Sequence, residues 1–393
     1  VLTNWRAFFL ASLAYLLGGT VSTLMATYLP VVITYLAGGP VSTARMGELG
    51  ALINAAFLYG WMVGGLGFGP VGDRLGRVKA LTFATGLSGG ATLLTAFAPN
   101  LYVLVACRFA TGMGVGGVLL LATVYLSEIW PARTRPIMLG ILAVTFPIGL
   151  VAAGSLNVVF PAWRQAFLMG LLPLGLALLT LTLPESAAWQ RDRGNQVTGQ
   201  LLAPQNRPNL LAGTLIFGSV LIGLWGLFSW LPTWVQTLLP PGRTGGTERG
   251  MTMMLLGLGG IAGGVLSGFL LNRLGNRRTL LLTFTGCAGT CVLLLLTNRH
   301  FSSIVYAELA LLSLFFGISQ GSLSSIIPDL FPVAIRATAT GFCFNVGRFF
   351  TATAVFFVGN LVTALGGFAN ALLGFSAAFL IALVTVWRQR SIH

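Results

Sequence analysis

"GPVGDRLGRVK", residues 69–79, gathers Asp73, Arg74, Arg77 and Lys79 into a few positions of a chain that is only 8% charged, and Lys79 is its one lysine. About 200 residues later the stretch returns as "GFLLNRLGNRR", residues 268–278. Gly268, Asn272, Arg273 and Gly275 answer Gly69, Asp73, Arg74 and Gly76. A second pair follows at nearly the same offset. "EIWPARTRPIMLG" from Glu128 matches "DLFPVAIRATATG" from Asp329, so Pro131, Arg135 and Gly140 answer Pro332, Arg336 and Gly341. Two motif pairs at one offset mark a duplicated chain.

The chain of 393 residues is 55% hydrophobic, with a mean hydropathy of +0.88, far above that of a soluble globular domain. Apolar runs of roughly 20 residues, each able to cross a hydrocarbon core of about 30 Å, are expected near 7–36, 49–71, 80–98, 101–127, 136–159, 165–183, 210–238, 250–271, 279–297, 301–327, 337–364 and 367–387. The first is too long for a signal-peptide core and reads as a retained helix. The reading is an all-α integral membrane protein of twelve spans, divided as 1–184, a polar cytoplasmic linker 185–209, and 210–393. With the N-terminus in the cytoplasm, fifteen basic residues fall inside and five outside, while Arg108 and Arg348 lie within spans. Positive-inside bias therefore places both termini in the cytoplasm.

The charge of +14 expresses this topology and attraction to the anionic heads of the lipid bilayer. A basic balance also suits nucleic acid, but no soluble domain is long enough to bind it. Cys107, Cys287, Cys291 and Cys343 all lie in spans without a CxxC pair, which reads as buried small apolar residues. Two histidines, His300 and His393, make no metal site by themselves. No catalytic constellation is present, so neither an enzyme nor a cofactor is expected.

Two six-span halves of equal orientation form a parallel repeat, an architecture of secondary transporters with a site near the bilayer midplane. The pattern G-x-x-x-D-R-x-G-R-x-K after the second span resembles the signature of the major facilitator superfamily, and the likeness extends along the whole chain. It implies two pseudo-symmetric six-helix bundles, alternating access, and a monomer that supplies both halves of the site. "PESAAW" (184–189) is similar to the motif closing span 6 in sugar porters and organic-ion transporters. "WGLFSWLPTW" (225–234) and "PDLFPVAIRATATGFCFNVGR" (328–348) resemble the metabolite:proton symporter and organic-ion branch. Span 7 lacks the glutamine- and asparagine-rich pattern of sugar porters. Span 1, "YLLGGTVSTLMATYLP", lacks the acidic residue of the aromatic-acid symporters' D-G-x-D motif, so the coupling step departs from that family's pattern.

A cytoplasmic gate is expected from Gly69, Asp73, Arg74, Gly76, Arg77, Glu128, Arg135, Asp329 and Arg336. Glycines turn the short loop. Asp73 accepts from a neighbouring helix N-terminus or pairs with Arg74 or Arg135, and Glu128 with Arg135 closes the corner after span 4. Asn272 breaks the second copy, whose latch is expected to be weaker.

Ionisable groups at membrane depth are costly unless paired or wet. Arg348, twelve residues beyond Arg336, lies about 18 Å into the membrane at 1.5 Å per residue, with Asn345 on its face. With Trp230 and Phe228 of span 7 it suits a carboxylate on an apolar body; the alternative is a guanidinium satisfied by helix carbonyls. Thr23, Gln320 and Tyr15 are further candidates, within stripes Thr20–Thr23–Thr27 and Ser313–Gln320–Ser324 that also suit bonding to their own helices. Arg108, in "RFATGMGVGG" with Gly112 and Gly116 for close packing, stands 200 residues from Glu308. The two form a candidate coupling pair, with Glu308 as the proton-responsive carboxylate. The expected function is secondary transport of a small organic anion by proton symport or exchange, the alternative being a sugar, polyol or other neutral solute. Short loops without a disulfide framework point to a bacterial inner membrane.

Overall fold

The computed structural model describes residues 2–131, 133–191, 203–331 and 336–388, and among these no strand occurs. The first five spans are α1 (Leu2–Leu36), α2 (Thr43–Leu75), α3 (Arg77–Ala96), α4 (Leu101–Ile129) and α5 (Arg135–Val159). The sixth is α6 (Trp163–Phe167) and α7 (Leu171–Thr180) joined by a 3-10 turn, and α8 (Ala187–Arg191) follows it. α9 (Arg207–Phe228) and α10 (Leu231–Thr237) form the seventh. Then come α11 (Gly246–Leu274), α12 (Asn276–Thr297) and α13 (Ser303–Asp329), the pair α14 (Arg336–Phe356) and α15 (Val358–Ala364), and α16 (Phe368–Arg388). Of the linker expected at 185–209, residues 192–202 lie outside the described residues.

Among the described residues, eleven spans are long and apolar enough to cross a membrane. The third, α3, has the length but not the apolarity. Its buried Thr85, Ser88, Thr92 and Thr95 lower its hydropathy, and each hydroxyl donates to a carbonyl three or four residues back on the same helix. A helix that satisfies its own polar groups can still pack at membrane depth.

Contacts divide the chain into two compact units, Val1–Val41 with Leu52–Gln196, and Ser42–Ala51 with Val197–His393. The first turns of α2 thus group with the second unit. Within each unit the packing scheme repeats. α1 lies against α5 and α7 as α9 lies against α14 and α16, and α3 lies against α4 and α7 as α12 lies against α13 and α16. Helices in lipid associate through close packing, which small residues permit. A Cβ on Gly218 of α9 would stand 3.1 Å from the Gly347 Cα of α14. Gly19 and Gly149 hold the matching crossing of α1 and α5, each against the other helix's backbone. Gly112 and Gly116 of α4 meet the backbone of α2 at Phe57, Trp61 and Gly65, as the spacing of glycines in span 4 predicts.

Candidate functional site

The corner between α2 and α3 gathers a dense set of polar bonds. Gly76 turns the chain with φ +106°, a conformation that a side chain disfavours. The first turn of α3 then presents free N–H groups. Glu185, just past the end of α7, takes them: its Oε1 accepts from Arg77 N at 2.8 Å and Val78 N at 3.2 Å, and from its own neighbour Ser186 N at 3.1 Å. The carboxylate occupies the space that a Cβ on Gly76 would need. Arg77 reaches Glu128 through Nε at 3.0 Å and Asp73 through Nη1 at 2.5 Å, with its side chain only 14% exposed. Burial pulls the guanidinium pKa down, but the bond to Asp73 and the charges of Glu128 and Asp73 outweigh it, and the group sits above its ordinary value. Trp189 Nε1 donates to the Asp73 carbonyl at 2.8 Å, and Tyr125 Oη to that of Pro184 at 2.7 Å, which seats the segment after α7 on the corner.

These partners differ from those expected. The helix N-terminus is capped by Glu185, and Asp73 pairs with Arg77. Arg135 donates to the Trp130 carbonyl at 3.3 Å, while Glu128 turns to Arg77. Arg74 is exposed. Gly69 makes only an ordinary contact with Leu120, at 3.7 Å from a built Cβ. Glu185 was missed as a site residue; its signal was an acidic residue directly after the last apolar run of the first half.

The repeat has lost this network. Asn276 and Asn272 stand where Arg77 and Asp73 would, and Gly275 keeps its positive φ of +77° with open space around it. Arg273 lies over the Phe269 ring at 4.4 Å and Arg277 donates to the Trp387 carbonyl at 2.7 Å. Asp329 is exposed at the end of α13. The Arg336 side chain lies outside what the structure describes.

Several of the candidates within spans bond inside their own unit. Arg108 is 1% exposed. It donates to the Val21 and Ser22 carbonyls of α1 at 3.1 and 3.2 Å and stacks over Phe57 at 4.4 Å. Glu308, buried in the second unit, accepts from Asn298 Nδ2 at 2.6 Å. Thr20, Thr23 and Thr27 donate to carbonyls of α1 itself, and Tyr15 shares a hydrogen bond with Thr123 of α4 at 3.0 Å. Ser324 bonds back to Gln320, while Ser313 reaches across to the Leu256 carbonyl of α11 at 2.6 Å.

In the second unit Arg348 is half-buried on α14 beside the Gly347–Gly218 crossing. Asn345 donates to the Gly341 carbonyl of its own helix at 2.9 Å, and its Oδ1 has no partner among the described residues, nor has Gln320 Nε2. Phe228 meets Phe316 with ring centroids 5.2 Å apart. Trp230 is fully buried against Phe368, at 5.3 Å, so both rings of span 7 pack on helices of their own unit. Arg108 thus belongs to the first unit, and Arg348, Asn345 and Gln320 to the second.

The family model described as "Major Facilitator Superfamily" matches residues 7–354. The chain is 30% identical over 326 residues to a gentisate transporter of Corynebacterium glutamicum, covering 78% of this chain and 70% of the relative. It is 29% identical over 389 residues to a cis,cis-muconate transport protein of Acinetobacter baylyi, covering 91% and 87%. It is 29% identical over 343 residues to a 4-hydroxybenzoate transporter of Pseudomonas aeruginosa, covering 77% and 75%. Among solved structures it is similar to a D-xylose-proton symporter, with a TM-score of 0.79, 18% identity, and 98% of this chain and 97% of that one covered.

Proposed function

We propose that this chain, which belongs to the Major Facilitator Superfamily, carries a small carboxylate across a bacterial inner membrane by alternating access. In this reading the halves 1–184 and 210–393 flank one site and both termini face the cytoplasm, as positive-inside bias suggests. One chain supplies both halves, so a monomer suffices. The cargo moves with a proton or in exchange for a second anion. The alternating-access architecture itself follows from the family.

The observation that carries the choice of cargo is the Arg348 guanidinium, half-buried midway along α14. Ionisable groups placed within spans mark the paths of substrates and ions. The planar fork of Arg348 matches a carboxylate. The names of three relatives point the same way, since gentisate, muconate and 4-hydroxybenzoate all carry carboxylates. The polar corner at Asp73, Arg77, Glu128 and Glu185 serves as the cytoplasmic gate, because ion pairs there can form in one access state and separate in the other. Glu308 is the carboxylate through which a proton would couple.

A thermal-shift screen of detergent-purified protein tests the cargo, pairing carboxylates with their amides and including sugars and organic cations. A ligand at 100 times its Kd should add about 2.7 kcal/mol. Carboxylates are expected to stabilise, their amides not, and Arg348→Gln should abolish the shift. Stabilisation by sugars or cations that survives Arg348→Gln would overturn the reading. Uptake into proteoliposomes with and without a pH gradient then separates symport from exchange.

A further inference from the structure

Arginines gather at the edge of the second unit where α11, α12 and α16 meet. Arg273 lies in the last turn of α11, Arg277 and Arg278 in the first turn of α12, and Arg388 closes α16. Arg277 fixes the group in space. Its Nη2 donates to the Trp387 carbonyl at 2.7 Å, so the start of α12 and the end of α16 lie side by side. Arg273 stacks on the Phe269 ring at 4.4 Å, and Arg278 and Arg388 are exposed.

The partners of Arg273 and Arg277 are a ring and a carbonyl, and neither carries a charge to offset theirs. Asp329 at the end of α13 offsets one of the four charges at most. The corresponding corner of the first unit brings anions of its own chain: Asp73 and Glu128 on Arg77, and Glu185 on the first turn of α3. The second unit's edge is thus left with positive charge that an anion from outside the chain can meet.

The surface beside the charges tells which kind of anion fits. Trp387 and Phe269 are 65% and 50% exposed, and exposed tryptophan next to arginine is the pattern of a membrane–water interface. One to two turns further from the edge, Leu282 of α12 and Leu380, Ile381 and Val384 of α16 are exposed as well. α12 packs against α16, so apolar surface continues from the arginines towards the membrane interior. A free phosphate would use the charges alone. A phospholipid uses both: its phosphate faces guanidinium forks, which match phosphate geometry, and its chains cover the apolar side chains. Basic pockets between spanning helices hold anionic headgroups in this way.

We propose that the edge formed by α11, α12 and α16 is a binding surface for an anionic phospholipid, whose headgroup lies on Arg273, Arg277, Arg278 and Arg388. The lipid supplies to the second unit the negative charge that Asp73, Glu128 and Glu185 supply to the first. The surface lies on one unit alone, and its occupancy does not depend on the cargo or on the coupling step.

Native mass spectrometry of delipidated protein in detergent tests the surface. The protein is titrated with dioleoyl phosphatidylglycerol, with dioleoyl phosphatidylcholine, and with inorganic phosphate as competitor. Phosphatidylglycerol should bind at lower concentration than phosphatidylcholine, and an equal concentration of inorganic phosphate should not displace it. Arg278→Gln with Arg388→Gln removes two exposed charges. It should weaken the tightest phosphatidylglycerol roughly thirtyfold, the factor for two basic residues beside an anionic surface. Arg278→Lys with Arg388→Lys keeps both charges and should keep most of the affinity. Arg74→Gln with Lys79→Gln takes two charges from the first unit's corner and should leave that affinity unchanged. Equal loss from the two Gln pairs would overturn the proposal, since net charge alone would then explain it. So would equal binding of the two lipids, or displacement by inorganic phosphate, which would assign the surface to a free anion.

Discussion

Glu185 closes the first turn of α3 from a different segment of the chain, because Gly76 has no side chain with which to cap it. Three N–H groups converge on this carboxylate within 3.2 Å. Glu185→Ala is therefore expected to cost about 1–2 kcal/mol, the range of a lost N-cap, read as a lower melting temperature in detergent. Glu185→Gln keeps one acceptor oxygen and should lose less. Arg108 makes a comparable demand inside the membrane, since it must reach two carbonyls and lie over a ring at once. A lysine offers one compact ammonium without the planar face. Arg108→Lys should cost about 1 kcal/mol or more, measured by the same melting experiment.

At the scale of the helix, close approach separates glycines that matter from glycines that merely recur. Gly112 lies directly against the Phe57 carbonyl of α2, so any added side chain must push two helices apart. Gly112→Val is expected to destabilise by about 3 kcal/mol, the upper range for overpacking, and to reduce the yield of folded protein. Gly69 belongs to the repeated motif yet has only a 3.7 Å contact to Leu120. Gly69→Ala should leave the melting temperature nearly unchanged. In the threonine stripe of α1 each hydroxyl finds a carbonyl of its own helix three or four residues back, the bonding that such a stripe also suits.

Across the whole molecule the duplication is complete in packing and incomplete in chemistry. Both units repeat the same helix partners and the same glycine crossings. The first unit's network is not copied in the second, because Asn276 and Asn272 stand in place of Arg77 and Asp73. Arg77→Ala should therefore cost about 3 kcal/mol, as expected when a partly buried ion pair loses one partner. Asn276→Ala should change the melting temperature little. A comparable loss from both would show that the second corner carries bonds of its own.

The sequence by itself determined the number and length of the spans, the duplication and the family. Those are one-dimensional properties: apolar runs set by bilayer thickness, and motifs that repeat at a fixed offset. It also singled out Arg77, Glu128 and Arg348, since a charge in so apolar a chain stands out wherever it falls. Only the tertiary structure decided which groups meet. It gave the α3 cap to Glu185 rather than Asp73, paired Arg108 with α1 carbonyls and Glu308 with Asn298, and buried Trp230 against Phe368. The physical reason is that a side chain bonds to whatever its neighbouring helix presents. Which helix lies there, at what depth and turned to which face, depends on crossings more than 50 residues apart in the chain, which no local pattern encodes.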